Sequence, residues 1–559
     1  MKKDLNKLWV WVLMACVAVE VEAAGRHLST APIKWFDPDN RSIAQPKVIK
    51  RNLIWDMVDH SFVYPMTKKL DLGRSARRVG NILNIAPSRQ ADNINVLDEV
   101  PNSSWYTNRH FLVRMDAVAL AKGPGHAHPD TSGSWEIISG KFEGQAPEFT
   151  IRDAKEDVYF LKFDPKDYEE LATTAEVVST KILYAAGYHV PQNSVVFFRA
   201  EWLTIGPEAE VVDDEGRRRS MTDADLQNVL SSIEKQANGD IRCLASKRLT
   251  GIPLGVFDFH SRRKDDPNDR VKHQHRRELR GLRAISSWIN DVDRRAANTL
   301  NMFVTDEQGR QYIKHYLIDM DATLGSRSVR PHTPKSGNEY FVDFRYIVPS
   351  VLGLGLYRKA WEDAKPIHFP SIGYLESDVF SPRRWVTNYP NPAFQRCTNR
   401  DGYWGAKIAM AFSDADLAAI VKTGHLSDKK AEERLIRLLI ARRDKVGDHW
   451  FRRINPLDRF WIDRRGLHFE DLAIVGNLAT EAETRYFYQF LSRDGKGQGT
   501  VRQLDTSGHI PIPRDLPDGQ YYGIEIRTVR SGWADKYVRV YFFVWNVGLY
   551  QIVRVDRQE

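Results

Sequence analysis

The chain has 559 residues, too many for one ordinary hydrophobic core, which predicts a multidomain protein. Hydrophobic residues at 42% with 11% aromatics exclude a disordered chain, because that much apolar surface can offset backbone entropy. The 81 basic and 73 acidic residues leave a net charge of +8. This charge is spread along the chain except for one dense block, Ser261 to Arg283, which holds no aromatic for stacking, so no nucleic-acid partner is expected.

The first element is MKKDLNKLWVWVLMACVAVEVEAAG, with a basic start, an apolar run from Leu8 to Val19 and small residues at Ala23 and Ala24. It has the form of a secretory signal peptide over residues 1–23 and predicts export, to the periplasm or as a secreted protein. About 20 apolar residues are needed to span a bilayer, so no transmembrane helix is expected in the mature chain. Leu13-Met14-Ala15-Cys16 offers an alternative, a lipoprotein box that would leave a lipidated Cys16 on an outer-membrane protein. The remaining cysteines, Cys243 and Cys397, lie too far apart to suggest a disulfide framework or a zinc motif.

After an N-terminal extension over 24–133, three short alternating runs read as antiparallel strands: Ser134 to Ser139, Glu148 to Asp153 and Val158 to Asp164. The loop GKFEGQAP, with Gly140 and Gly144, separates the first two. LATTAEVVSTKILYAAGYHVP then places Ala175, Val178, Ile182 and Ala185 at helical spacing, with Gly187 and Pro191 as stop signals. NSVVFF and EWLTI are strand-like, and Gly206 to Asp240 reads as a polar insertion with a helix after Thr222. Strand composition returns at Ile241. The dense basic block Ser261 to Arg283 is expected to be a solvated loop and helix start, the alternative being a phosphate-contacting surface.

Leu279, Leu282, Ile285 and Ile289 then mark one face of a helix. It runs into WINDVDRRAANTL, which concentrates Asn290, Asp291, Asp293 and Asn298 in a few residues. LNMFV and QYIKHYLIDMD flank a turn at Glu307-Gln308-Gly309 and form a hairpin. His315 alternates with Tyr316 on the second strand and is expected to be packed or paired. LSDKKAEERLIRLLIARRDKVGDHWFRRI is the strongest helix, with a Ser or Asp cap. Beyond 458, four runs rich in aromatic and branched residues predict an all-β module, a sandwich.

A small antiparallel lobe over 134–260 followed by a larger helical lobe over 261–457 is the layout of a bilobal, protein-kinase-like α+β fold. Such a site needs a strand Lys for phosphates, a helix Glu to hold it, a base, and an Asn and an Asp for metal. Lys162 ends the third strand, Glu176 follows on the helix, Asp293 is the candidate base, and Asn298 and Asp319 are candidate metal ligands. The backbone amides of Gly140 and Gly144 are candidates for covering nucleotide phosphates, with a plain hairpin turn as the alternative.

WINDVDRRAANTL resembles the N-x-x-D-R-x-x-x-N loop of HipA-like kinases and related atypical kinases, including spore-coat CotH and secretory-pathway types. LIDMDATLGS resembles the I-D-F-G-x-x-L-G of lipid-kinase relatives, and the wider chain is similar to a group of exported bacterial proteins. The resemblance implies a phosphotransferase that uses Mg²⁺ or Mn²⁺ with ATP or another nucleotide and acts on a protein or small-molecule hydroxyl. Met320 and Asp321 replace the usual Phe-Gly, which adds Asp321 as a further metal ligand or marks a site no longer catalytic. The alternative is therefore an inactive kinase-like scaffold whose C-terminal module binds a cell-envelope partner.

Overall fold

The structure, a computed structural model, describes residues 28–49, 88–141, 147–212, 217–353, 357–359, 361–364, 369–504, 508–546 and 548–559. Residues 1–23, Cys16 and Gly144 fall outside these residues. The described chain is mixed α+β, and none of its helices is long and apolar enough to cross a membrane.

Seven strands form the first sheet: β1 (Trp135–Lys141), β2 (Glu148–Arg152), β3 (Val158–Lys162), β4 (Gln192–Phe198), β5 (Leu203–Val212), β6 (Arg218–Ser220) and β7 (Ile241–Lys247). Their order is β4-β7-β3-β2-β1-β5-β6. The three expected runs are joined there by the strand-like segments that follow them, and the sheet is not wholly antiparallel, because β5 runs parallel to β1. The segment 206–240 is likewise no polar excursion. Ala209, Val211, Met221, Leu226, Val229 and Leu230 are buried in the same core as Trp135, Phe149 and Leu161. Thr222 caps the helix over Asp223–Ser232, the one expected after it, and its side chain accepts from Asp225 N in a capping box.

The helices that frame the site and its core are α1 (Leu171–Ala185), α2 (Asp223–Ser232), α3 (Arg277–Ile289), α4 (Asn399–Met410), α5 (Asp414–Lys422) and α6 (Lys429–Phe451). A second core joins α1, α3, α4, α5 and α6 with Trp105, Tyr106 and Phe111 of the N-terminal extension. Helices α3 and α4 cross at two glycines. A Cβ on Gly405 would lie 2.3 Å from Gly281 O, and one on Gly281 would lie 2.5 Å from the Trp404 ring. Only glycine permits this approach, which seats α3 and the loop after it.

The basic block meets the expectation of a solvated surface only in part, with Arg262, Lys264, Arg270 and Lys272 exposed. Arg263, Asp269, His273, Arg276, Arg277, Glu278 and Arg280 are all buried. Arg277 pairs with Asp98 at 2.9 Å and Asp401 at 2.8 Å, while Arg276 lies over the Trp105 ring. These buried charges form an internal ionic seam, matched partly within the block by Asp265, Asp269 and Glu278 and partly by Asp98 and Asp401 from distant segments, as buried charge must be.

A three-stranded sheet follows α3, comprising β8 (Ile252–Pro253), β9 (Thr299–Thr305) and β10 (Gln311–Leu317), with β9 and β10 forming the expected hairpin. His315 is buried, with Nδ1 2.7 Å from Asn301 Oδ1 and its ring stacked on Trp105. After α6 come β11 (Leu457–Ile462), β12 (Leu467–Asp471), β13 (Arg485–Leu491), β14 (Gly497–Gln503), β15 (His509–Ile510), β16 (Gln520–Val529), β17 (Tyr537–Asn546) and β18 (Leu549–Arg557). They make a three-stranded and a five-stranded antiparallel sheet that share one core through Leu457, Leu467, Ile524 and Val540. Arg557 reaches back from β18. It bonds the carbonyls of Asn455 and Leu457, pairs with Asp458 at 2.9 Å and approaches Asp98 at 3.7 Å.

Candidate active site

Strand β3 buries Tyr159 and Leu161, which leaves Lys162 at the strand end facing α1. Two residues on, Asp164 turns the chain into that helix. Its carboxylate accepts from Ala172 N at 2.8 Å and Thr173 N at 3.0 Å, and Arg242 pairs with it at 2.8 Å. The strand end and the helix start are thereby held at a fixed separation. Within that span Lys162 Nζ donates to Glu176 Oε2 at 3.2 Å. Asn193 Nδ2 donates to the other Glu176 oxygen at 3.2 Å, so the carboxylate is held from two sides.

The same ammonium donates to Asp319 Oδ1 at 2.8 Å and lies 3.9 Å from Asp321 Oδ2. Asp319 sits just past β10 in the left-handed region, with φ at 58°. For a non-glycine residue this backbone is uncommon and is found where the surroundings impose it. Met320, next in sequence, is completely buried in the helical core. Asp321 points back toward Lys162 and accepts from Ser328 Oγ at 2.9 Å.

Helix α3 ends at Asn290, which adopts the left-handed conformation as its C-cap. Asn290 Oδ1 accepts from Trp385 Nε1 at 3.0 Å, bracing the turn. Asp293 and Asn298 meet directly. Asn298 Nδ2 donates to Asp293 Oδ2 at 3.0 Å and to Asp293 O at 2.9 Å, while Arg295 pairs with Asp293 Oδ1 at 3.2 Å. Ile318 N donates to Asn298 O at 3.1 Å, which ties this loop to the strand end that presents Asp319.

Arg294 was not singled out by the sequence, and it holds the loop together. It pairs with Asp291 at 2.7 Å and donates to the carbonyls of Asn298 and Ile318 at 2.7 and 3.0 Å. Asp291 is therefore more than a turn residue. Asn193 was missed as well, since a strand Asn carries no sequence signal of its partner across the sheet.

The electrostatics follow from this packing. Burial opposes the Lys162 ammonium, yet Asp319 and Glu176 outweigh it and hold its pKa well above the ordinary value. Lys162 in turn holds Asp319 below the usual carboxylate range. Asp321 is pushed well up by burial and by the neighbouring Asp319, and burial raises Asp293 despite Arg295.

Oxygens of Glu176, Asp319 and Asp321 lie within 4.8 Å of one another, a spacing that suits a hard divalent cation. The mutual repulsion that raises Asp321 fits the same conclusion. This carboxylate set takes in the predicted ligands Asp319 and Asp321 and adds Glu176, whereas the Asn298 amide is engaged by Asp293 in the neighbouring loop. Gly140 lies within β1, in register with Phe149 and Val211, and is a buried strand position and not part of the loop.

No family model and no curated protein matches the chain. Among solved structures, one described as the Golgi casein kinase is similar at 10% identity and a TM-score of 0.26, covering 75% of this chain and 96% of that one. A second, the Golgi casein kinase with Mn/ADP bound, is similar at 11% identity and a TM-score of 0.22, covering 74% and 96%.

Proposed function

We propose that the chain is a kinase-like phosphotransferase. In this reading 134–260 and 261–457 are the two lobes, and a phosphoryl or nucleotidyl group passes from a nucleotide bound with Mg²⁺ or Mn²⁺ to a hydroxyl on a protein or small molecule. The observation that carries this reading is one convergence: Lys162 Nζ lies within 3.2 Å of both Glu176 and Asp319, and the Ile318–Asn298 bond brings the Asp293 loop to the same place.

Lys162 would exchange part of its carboxylate contact for phosphate oxygens, with Glu176 and Asn193 keeping its direction. Asp293 would accept the proton of the attacking hydroxyl, and its upward-shifted pKa makes it a better base than an exposed aspartate. Asp319, Asp321 and Asn298 would hold the cation. Once bound, the cation supplies neutralisation of phosphate charge.

A second reading, a kinase-like scaffold without catalysis, draws on one observation: Asp321 stands where the resembling kinases have a flexible glycine. In either reading we place the mature chain on the exported side of the membrane, with 458–559 docking on a cell-envelope partner.

Calorimetric titration of the full chain with ATP, with and without Mg²⁺ or Mn²⁺, tests the proposal. Cation-dependent binding that disappears in Asp319→Ala supports the phosphotransferase. Absence of binding under every condition discards it in favour of the scaffold.

A further inference from the structure

A second cleft in the chain is lined by cations. Arg109, Lys247, Arg248 and Lys314 border a cavity of about 350 Å³, and its described lining contains no carboxylate. They arrive from separate places: the N-terminal extension, the end of β7 and the middle of β10. Lys247 is already matched to Asp157 at 2.7 Å. Arg109 spends Nη1 on the carbonyls of Tyr184 and Tyr188, at 2.8 and 3.1 Å, and its guanidinium lies 4.0 Å from the Tyr184 ring centre. Arg248 and Lys314 form no ion pair among the described residues.

This arrangement is costly without a counterion. Lys314 is half-buried beside Arg109, and burial together with that neighbouring charge pulls its pKa below the ordinary value. Like charges drawn into one concave, low-dielectric space raise the local positive potential, and a multiply charged anion would relieve it. The space is that of a small-molecule site, well beyond one phosphate. Arg109 over Tyr184 and Lys314 over Tyr316 fix the cationic groups on aromatic faces, which lowers the entropy lost on binding.

We infer that this cleft binds a compact, soluble small molecule carrying two or more phosphate or sulfate groups. The site is separate from the Lys162 cluster and stands or falls independently of the proposed phosphotransfer. Its position is nevertheless suggestive of coupling: Lys314 lies on the strand that ends beside Asp319, and Tyr184 lies on the helix that carries Glu176.

The experiment is calorimetric titration of the full chain with tripolyphosphate and with sucrose octasulfate, at about 150 mM NaCl and with EDTA to keep divalent cations away. One saturable site is expected, and the tighter of the two probes identifies the preferred anion. Binding should weaken about tenfold or more in the Arg248→Gln/Lys314→Gln double variant and several-fold in Arg248→Gln alone. That single change is on an exposed side chain and leaves the fold in place. Lys162→Met should bind as the parent does. Absence of saturable binding, survival of binding in both cleft variants, or its loss in Lys162→Met would each overturn the inference.

Discussion

Arg294 and Asp291 form an ion pair at 2.7 Å with side chains 0% and 2% exposed, and the same guanidinium bonds the carbonyls on either side of the candidate metal site. Removing one partner of such a pair strands the other charge in the interior. Arg294→Ala is expected to destabilise the chain by about 3–5 kcal/mol. Paired denaturation curves for this variant and for Asp291→Asn/Arg294→Met, which removes both charges, measure it. The double variant should be the more stable of the two.

Lys162 is the cation set among Glu176, Asp319 and Asp321. Lys162→Met removes its charge at nearly constant volume, so the carboxylates should attract a divalent cation more strongly while nucleotide phosphates lose their anchor. Mn²⁺ alone should bind about tenfold more tightly, and the Mn²⁺-nucleotide complex about tenfold more weakly. Titration of free Mn²⁺ by electron paramagnetic resonance reads the first, calorimetry the second. Weaker Mn²⁺ binding in the variant would show that the carboxylates do not act as a cation site.

His332 is buried, and burial lowers its pKa from 6.5 to about 4. The unfolded chain therefore takes up this proton at higher pH than the folded chain does. Its contribution to stability is fully present above pH 6.5 and is lost as pH falls from there to about 4. Each pH unit in that window costs up to about 1.4 kcal/mol. Melting temperatures measured across the window should fall less steeply in His332→Gln than in the parent.

The crossing of α3 and α4 predicts a penalty for the smallest possible addition. Gly405→Ala gains about 1 kcal/mol of helix propensity, but its methyl would meet Gly281 O at 2.3 Å. A backbone atom cannot swing aside, so overpacking should prevail by about 1–3 kcal/mol. A variant as stable as the parent in thermal melts would contradict this packing.

The order of strand Lys, helix Glu, loop Asp and Asn, and strand-end Asp was legible because each residue sits beside a local signal of its element. The apolar neighbours of Lys162, the helical spacing around Glu176 and the strand preceding Asp319 are all readable over a few residues. The buried half of the basic block was misread because part of its counter-charge is remote: Asp98 lies 179 positions from Arg277, and Asp401 lies 121 from Arg280. No window of sequence displays such pairs, and a dense charge run looks solvated until its partners are known. The same applies to Asn193, which serves Glu176 across a strand–helix contact, and to 206–240, where scattered apolar residues complete a sheet whose edge the sequence did not mark.

Arg557 gives the fold a sense of time. Asp98 can meet Arg277 as the helical core forms, but Asp458 and the carbonyls of Asn455 and Leu457 wait for the guanidinium that β18 brings. Until it emerges, Asp458 has Lys407 as its ion-pair partner in a place without solvent. Strand β18 thus works as a latch: until it docks, the carbonyls of Asn455 and Leu457 lack the guanidinium that binds them in the finished fold, and the seam between the helical core and the β module stays open.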